Sequence, residues 1–578
     1  MSEALLRYVR RRTRGGEPPL IALRRWIERR GTPDAAGVRA LAEQTGLPEA
    51  AVRGAISFYD ELHAVPGTVR VCHGTSCWLA GAQELARAAG SHGPWSPVYC
   101  LGYCDRSPAV LDRRRQVVAP ASPAQAAALA AGALAPAAPL PAVRSLARTP
   151  ILTARLGGEA ARSLAQARAE GAWQGLVRAL GQRPAEVLAL LERSGLRGRG
   201  GAAFPAAAKW RHAAQTGAPI RYVIANGDEG DPGSFCDRVL MEGDPHAVLE
   251  GMAICAYAVG ARQGIVFIRS EYPRAIAVME QAVDQARAAG LLGERVLGTA
   301  FDFEVSVFPG MGSYVCGEET ALLNAIEGLR GEVRLRPPYP STAGLYGRPT
   351  VVNNVETLAA VPWILRHGPE AFRALGTAAS PGTKLLSLNG GFARPGLLEV
   401  EFGVSLREII ERGGGGARPG SELAAILLGG PMGSVLGPEH WDVPLCYEAM
   451  AGRGIQLGHG GLVALAAQAD PRALLEHWLG FMQHESCGRC VPCRVGSRRA
   501  LELVRRGPLW SERAQLLRLL ELMEQASLCG FGQLMPVPIR QLVQRFATRI
   551  FTGTPPECTA EDAVAGQAGG RLAERPPG

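Results

Sequence analysis

Gly310-Met311-Gly312-Ser313-Tyr314-Val315-Cys316-Gly317-Glu318-Glu319-Thr320-Ala321-Leu322 is the stretch on which the reading of this chain turns. Two acids follow a glycine-rich turn, and apolar residues then recur at helical spacing as Leu322, Leu323 and Ile326. The pattern predicts carboxylates at the mouth of a helix. A carboxylate only accepts hydrogen bonds, so such a site suits hydroxyls and repels phosphate.

Upstream, Gly198-Arg199-Gly200-Gly201-Ala202-Ala203-Phe204-Pro205 satisfies the letter of the dinucleotide fingerprint G-x-G-x-x-G/A. That fingerprint should follow a strand and open a helix. Here Val187, Leu188, Leu190 and Leu191 predict a helix before it, and Pro205 follows at once. An ordinary Rossmann turn is therefore rejected, although glycines still let backbone amides approach an anion closely. A third cluster, Asn226-Gly227-Asp228-Glu229-Gly230-Asp231-Pro232-Gly233-Ser234-Phe235, follows the strand-like Tyr222-Val223-Ile224-Ala225. Alone it would read as a solvated turn or a metal loop.

These clusters occur in one order with Pro337-Pro338-Tyr339-Pro340 and Val352-Asn353-Asn354-Val355-Glu356-Thr357. Together they resemble the NADH-binding FMN/iron–sulfur flavoprotein subunit of respiratory complex I and its soluble relatives. Those are the beta subunit of NAD-dependent molybdenum or tungsten formate dehydrogenase and the diaphorase subunit of NAD-reducing hydrogenase. The resemblance covers roughly residues 150 to 555. It implies non-covalent FMN at Gly198, Arg199, Gly200, Gly201, Lys209, Asn226, Asp228, Gly317, Glu318, Asn353, Asn354 and Thr357. It also implies NAD(H) at Phe204, His212, Asp231, Glu319, Arg336 and Tyr339. No general base is implied, because hydride passes directly between nicotinamide and flavin, with Glu319 and Tyr314 nearby. The chain departs from the family where His212 replaces a common Phe, Asp231 a Glu, Arg336 a Lys, and Ala203 the last loop glycine. Asp231 and Glu319 would repel the extra phosphate of NADP.

Eight of the cysteines fall in two clusters. Cys72 and Cys77, then Cys100 and Cys104, give C-x4-C joined to C-x3-C, spacings that suit a [2Fe–2S] cluster better than zinc. Cys487, Cys490 and Cys493 give C-x2-C-x2-C, with distant Cys529 as the fourth thiolate of a [4Fe–4S] site; zinc is the alternative. The remaining five, Cys236, Cys255, Cys316, Cys446 and Cys558, read as buried or incidental. Clustered thiols fit a reducing compartment, and without an apolar run of membrane length or a signal-peptide core the expected location is cytoplasmic.

The 578 residues carry a formal charge of +9, with arginine spread along the chain. A solvated surface or a face for an acidic partner is the reading, not nucleic acid. Leu41 to Pro48 could pass for a helix-turn-helix, but Ser57-Phe58-Tyr59 leads straight into the cysteine motif. The expected fold class is multidomain α/β. Residues 1–66 form a helical bundle, 67–118 a thioredoxin-like [2Fe–2S] ferredoxin domain resembling that subunit of complex I with a shortened link, and 119–150 an Ala/Pro-rich linker. Residues 151–381 form a Rossmann-like FMN- and NAD(H)-binding domain, 382–446 a β-grasp domain and 447–555 a four-helix bundle with the [4Fe–4S] cluster. Residues 556–578 are a disordered tail.

The implied function is NAD(H)–FMN–iron–sulfur electron transfer within a hetero-oligomer. The expected partner is an iron–sulfur-containing catalytic subunit, formate dehydrogenase alpha before a hydrogenase module, with a small ferredoxin-like subunit as a further candidate. An NADH module of complex I and a non-enzymatic zinc scaffold are the alternatives.

Overall fold

The computed structural model describes residues 18–63, 68–157 and 163–553. The expected tail, Cys558 and the start of the N-terminal bundle lie outside them.

Three sheets organise the chain. The first contains β1 (Val69–Cys72), β2 (Trp95–Val98), β3 (Val110–Leu111) and β4 (Val117–Val118) in the order β2-β1-β3-β4. Helix Ala82–Gly90 packs against helix Pro123–Ala130. The latter starts at a Ser122 capping box that satisfies two end amides reciprocally. The expected linker is thus corrected at its start: Ala126, Leu129 and Ala130 are buried, so this helix completes the first domain.

Between β5 (Val143–Ser145) and the second sheet, helices Gln174–Leu180 and Pro184–Ser194 enter the central core. The second sheet, built of β6 (Tyr222–Gly227), β7 (Gln263–Ile268), β8 (Glu304–Pro309) and β9 (Thr350–Asn354), is wholly parallel in the order β8-β7-β6-β9. Its covering helices Pro245–Val259 and Val355–His367 approach closely because Gly251 has no side chain. A Cβ there would lie 2.0 Å from Leu358 O. The strand order reverses beside β6, so the crevice at the carboxyl ends of β6 and β9 is where an α/β sheet of this kind takes its ligand.

The third sheet has β10 (Thr383–Leu388), β11 (Gly396–Glu401), β12 (Leu423–Leu428), β13 (Ser434–Leu436) and β14 (Gly461–Ala466), and β5 adds to its edge beside β11. Two expected boundaries change here. β14 lies inside the sheet between β12 and β10, beyond residue 446, and β5 comes from the expected linker. Neither strand declared itself in sequence because each is short or apolar throughout and is stabilised by distant partners. Glu399 fixes the crossing to the flavin domain, accepting from the amides of Ile151, Leu152 and Thr153 and the hydroxyl of Thr383.

Helices Pro471–Glu485, Val491–Arg505, Arg513–Ala526 and Pro536–Arg545 pack in a closed ring, as the expected bundle requires. At the other end, Leu20, Leu23, Leu41, Val52 and Tyr59 of the N-terminal helices share a core with Leu322, Leu323 and Ile326. The apolar face of the acid-tipped helix is thereby covered. No helix among the described residues is long and apolar enough to cross a membrane.

Candidate functional site

The glycine loop, the acid-bearing turn and the asparagine pair converge at the carboxyl edge of the parallel sheet. Asn226 and Asn354 stand opposite each other in the β6–β9 register. Asn226 Nδ2 donates to Gly317 O at 2.8 Å, which draws the acid-bearing turn onto the strand end. Asn354 Oδ1 caps helix Val355–His367 at Thr357 N, and Asn353 Oδ1 accepts from Trp210 Nε1 at 2.7 Å.

The glycine loop follows helix Pro184–Ser194, as expected from its apolar spacing, and closes on itself through Gly198 N to Phe204 O at 2.8 Å. Gly200 rests on Asn354, where a Cβ would meet the asparagine Cβ at 2.9 Å. A side chain there would fill the crevice mouth, which is the physical reason for glycine. The Arg199 guanidinium turns back into the protein. It is buried over the Phe402 ring and donates to the carbonyls of Arg197, Pro381 and Thr383, while its amide donates to Thr357 Oγ1 at 2.8 Å. Arg199 therefore builds the loop from behind.

Glu318 is the N-cap of helix Glu319–Ile326, accepting from Thr320 N at 2.9 Å and Ala321 N at 3.0 Å. Carboxylates at a helix mouth are thus present as read from sequence. Glu319 accepts from Lys209 Nζ at 2.9 Å and Arg336 Nη1 at 3.2 Å, so two acids and two cations alternate around the opening. Deeper in, Tyr314 Oη donates to Asp231, and Tyr314 N donates to Glu485 Oε2 at 2.9 Å. Burial pushes the carboxyls of Asp228 and Asp231 above their ordinary range. His212 is held by Ser341 Oγ at 3.0 Å and Thr342 Oγ1 at 3.3 Å. It borders an open cleft of about 400 Å³ that Thr216 and Arg348 also line. Phe204 and Tyr339 are half-buried.

Both cysteine quartets assemble. Cys100 and Cys104 Sγ lie 3.5 Å apart, and Leu101 N and Gly102 N point at the sulfurs of Cys72 and Cys100. All four N-terminal thiols are buried, as a [2Fe–2S] cluster requires. In the bundle, burial and then the other three thiols push Cys493 up to about 12, an environment in which thiolates persist when metal holds them. Cys487 and Cys490 are half-exposed, whereas Cys493 and Cys529 are buried.

Sequence reading missed Glu356 and Lys384, an ion pair with both side chains fully buried behind the crevice. It also missed Glu229, Asp237 and His459, which meet beneath Asn354. Only the run of acids around residue 229 gave any local signal, since His459 and Lys384 belong to the other sheet.

The chain matches three family models: Nuo51 FMN-binding domain at residues 191–363, NADH-ubiquinone oxidoreductase-F iron–sulfur binding region at 473–551, and thioredoxin-like [2Fe-2S] ferredoxin at 19–132. The NADP-reducing hydrogenase subunit HndC of Solidesulfovibrio fructosivorans is 45% identical over 379 residues, covering 65% of this chain and 77% of that protein. An F-type subunit of NADH-quinone oxidoreductase from Rhizobium meliloti is 44% identical over 339 residues, covering 58% and 80%. A crystal structure of NAD+-reducing [NiFe]-hydrogenase in the H2-reduced state contains a similar chain, with TM-score 0.79, 31% identity, and 95% and 96% coverage. The chain belongs to the NADH-binding FMN/iron–sulfur flavoprotein family, with a fused N-terminal thioredoxin-like [2Fe–2S] domain. Its cofactors are FMN, NAD(H), one [4Fe–4S] and one [2Fe–2S] cluster.

Proposed function

We propose that this chain is the diaphorase subunit of a soluble multi-subunit dehydrogenase, moving electrons between NAD(H) and a partner that holds the second substrate. The observation that carries the reading is the placement of one ligand crevice and two cysteine quartets in a single chain. FMN supplies the conversion between a hydride and single electrons.

The glycine-loop amides and Lys209 face the flavin phosphate, while Asn226, Asp228, Glu318, Asn353 and Asn354 fix its hydroxyls and ring. Asp231, Glu319 and Arg336 set the nucleotide face, and Phe204, His212 and Tyr339 flank the adenine. No residue has to carry a proton in the transfer, so the protein's contribution is alignment and exclusion of water. Cys72, Cys77, Cys100 and Cys104 hold the [2Fe–2S] cluster; Cys487, Cys490, Cys493 and Cys529 hold the [4Fe–4S] cluster. Val491 is 59% exposed and Leu528 44% exposed, each next in the chain to a cysteine of the second quartet. This apolar rim, interleaved with Arg489 and Arg494, is the side on which an acidic iron–sulfur partner docks.

For that partner we favour a molybdenum or tungsten formate dehydrogenase, on the resemblance of Gly310 to Tyr314 and Arg269 to Pro273 to its beta subunit. The near-complete overlap with a chain of an NAD+-reducing hydrogenase supports hydrogen as the second reading. Isolating the complex through this chain and assaying NAD+ reduction with formate and with H2 separates them. Formate-dependent reduction is expected, and H2-dependent reduction alone would replace the first reading with the second.

A further inference from the structure

Glu229, Cys236 and His459 converge beneath the flavin crevice, and one donor atom from each lies within 4.8 Å of the other two. His459 Nδ1 is 3.4 Å from Cys236 Sγ and 3.6 Å from Glu229 Oε1. Two ligands on a tetrahedral zinc ion, at their usual bond lengths to nitrogen, oxygen and sulfur, stand about 3.3 to 3.6 Å apart. Both spacings from the imidazole therefore match one shared ion. Ser234 Oγ lies in the same space, 2.6 Å from Nδ1, 2.8 Å from Oε1 and 3.7 Å from Sγ. Moved outward from the imidazole by well under 1 Å, it becomes the fourth, neutral oxygen.

The opposite edge of the imidazole is a separate observation. His459 Nε2 is 2.9 Å from Asp237 Oδ2, which also accepts from Asn354 Nδ2 at 2.6 Å. A carboxylate on one ring nitrogen fixes the tautomer and aims the lone pair of the other, as around protein zinc ions. Glu229 and Cys236 are both buried, so a divalent cation held there would be shielded from water and would neutralise a carboxylate and a thiolate together.

We infer that Glu229, Cys236, His459 and Ser234 form a closed structural site for a divalent cation of the zinc class, independent of the two iron–sulfur clusters. One sulfur ligand excludes the hard cations magnesium and calcium, and complete burial excludes a catalytic water. The ion joins three separate parts of the fold. Glu229 follows β6, Cys236 opens helix Cys236–Gly243, and His459 stands just before β14 in the other sheet. At that seam Gly458 lies against Gly201 of the glycine loop, and Gly461 against Gly233. The cation thus pins the third sheet to the floor of the flavin crevice.

The test uses the full-length holoprotein, washed with EDTA. Zinc, iron and FMN are measured together, and zinc-edge X-ray absorption reads the ligands. About one zinc per FMN, with one sulfur and three lighter neighbours, is expected. Cys236→Ser and Glu229→Gln should lower zinc at least tenfold while iron and FMN stay bound. Absence of zinc from the wild-type protein, a shell of four sulfurs, which places zinc in a cysteine quartet, or retention of zinc in Cys236→Ser would each overturn the proposal. If Cys236→Ser loses FMN as well, the wild-type metal content and absorption edge decide alone.

Discussion

Lys209 Nζ donates to Glu319 Oε2 across 2.9 Å, joining the helix after the glycine loop to the acid-tipped helix. Arg336 reaches the other oxygen of the same carboxylate. One residue thus sets the charge at the nucleotide face and holds two cations in place. Glu319→Gln removes the negative charge and releases both. A nucleotide with an additional phosphate gains most, by about tenfold to a hundredfold in relative kcat/KM, the scale of one to two pKa units of charge interaction. Steady-state assays with NADH and NADPH and an artificial acceptor measure the ratio. An unchanged ratio with FMN fully bound would remove Glu319 from the nucleotide face.

Behind the crevice, Lys384 and Glu356 form an ion pair without solvent contact, and Glu356 also accepts from Leu385 N at 2.9 Å. Lys384→Met leaves a buried carboxylate uncompensated, which costs about 3 to 5 kcal/mol. Adding Glu356→Gln should recover much of that loss. Thermal unfolding of the single and double variants is the measurement; equal destabilisation in both would show that the charge imbalance is not the cause.

Glu61 ties the N-terminal helices to the rest of the molecule through Arg70, Arg115 and Ser270 Oγ. Burial alone would raise its pKa, but Arg70 and Arg115 outweigh burial and lower it to about 2. The folded value lies below the unfolded one, so this stabilisation is fully present above about pH 4.5 and fades as pH falls toward 2. It amounts to about 3 kcal/mol at neutral pH. Glu61→Gln should therefore accelerate hydrogen exchange in residues 18–63 by roughly a hundredfold at pH 7. The gap between variant and wild type should narrow below about pH 4.5. A gap that stays constant with pH would mean that packing, not charge, holds the segment.

Cys490 is half-exposed and packs against the core of the helical bundle. Cys490→Ser should abolish the paramagnetic signal of the reduced [4Fe–4S] cluster and leave FMN and the [2Fe–2S] signal in place. NADH should still reduce the flavin, while transfer to the partner falls by at least tenfold. Unaltered iron content in this variant would refute the ligand assignment.

By itself the sequence determined what local chemistry can declare. Glycine runs, paired acids at a helix start and cysteine spacings mark cofactor sites because each needs particular residues at fixed short separations, and the structure sets Glu318 at the helix start that the paired acids predict. The helix before the glycine loop was legible for the same reason, as apolar residues at helical spacing. Only the tertiary structure decided which way Arg199 points, since its guanidinium is captured by carbonyls of residues 381 and 383. Only it brought His459 to within 3.4 Å of Cys236, across 223 residues of chain. The membership of β5 and β14 in one sheet has the same origin. Short strands and buried polar pairs gain their stability from partners far away in the chain, and no local pattern records which partner that will be.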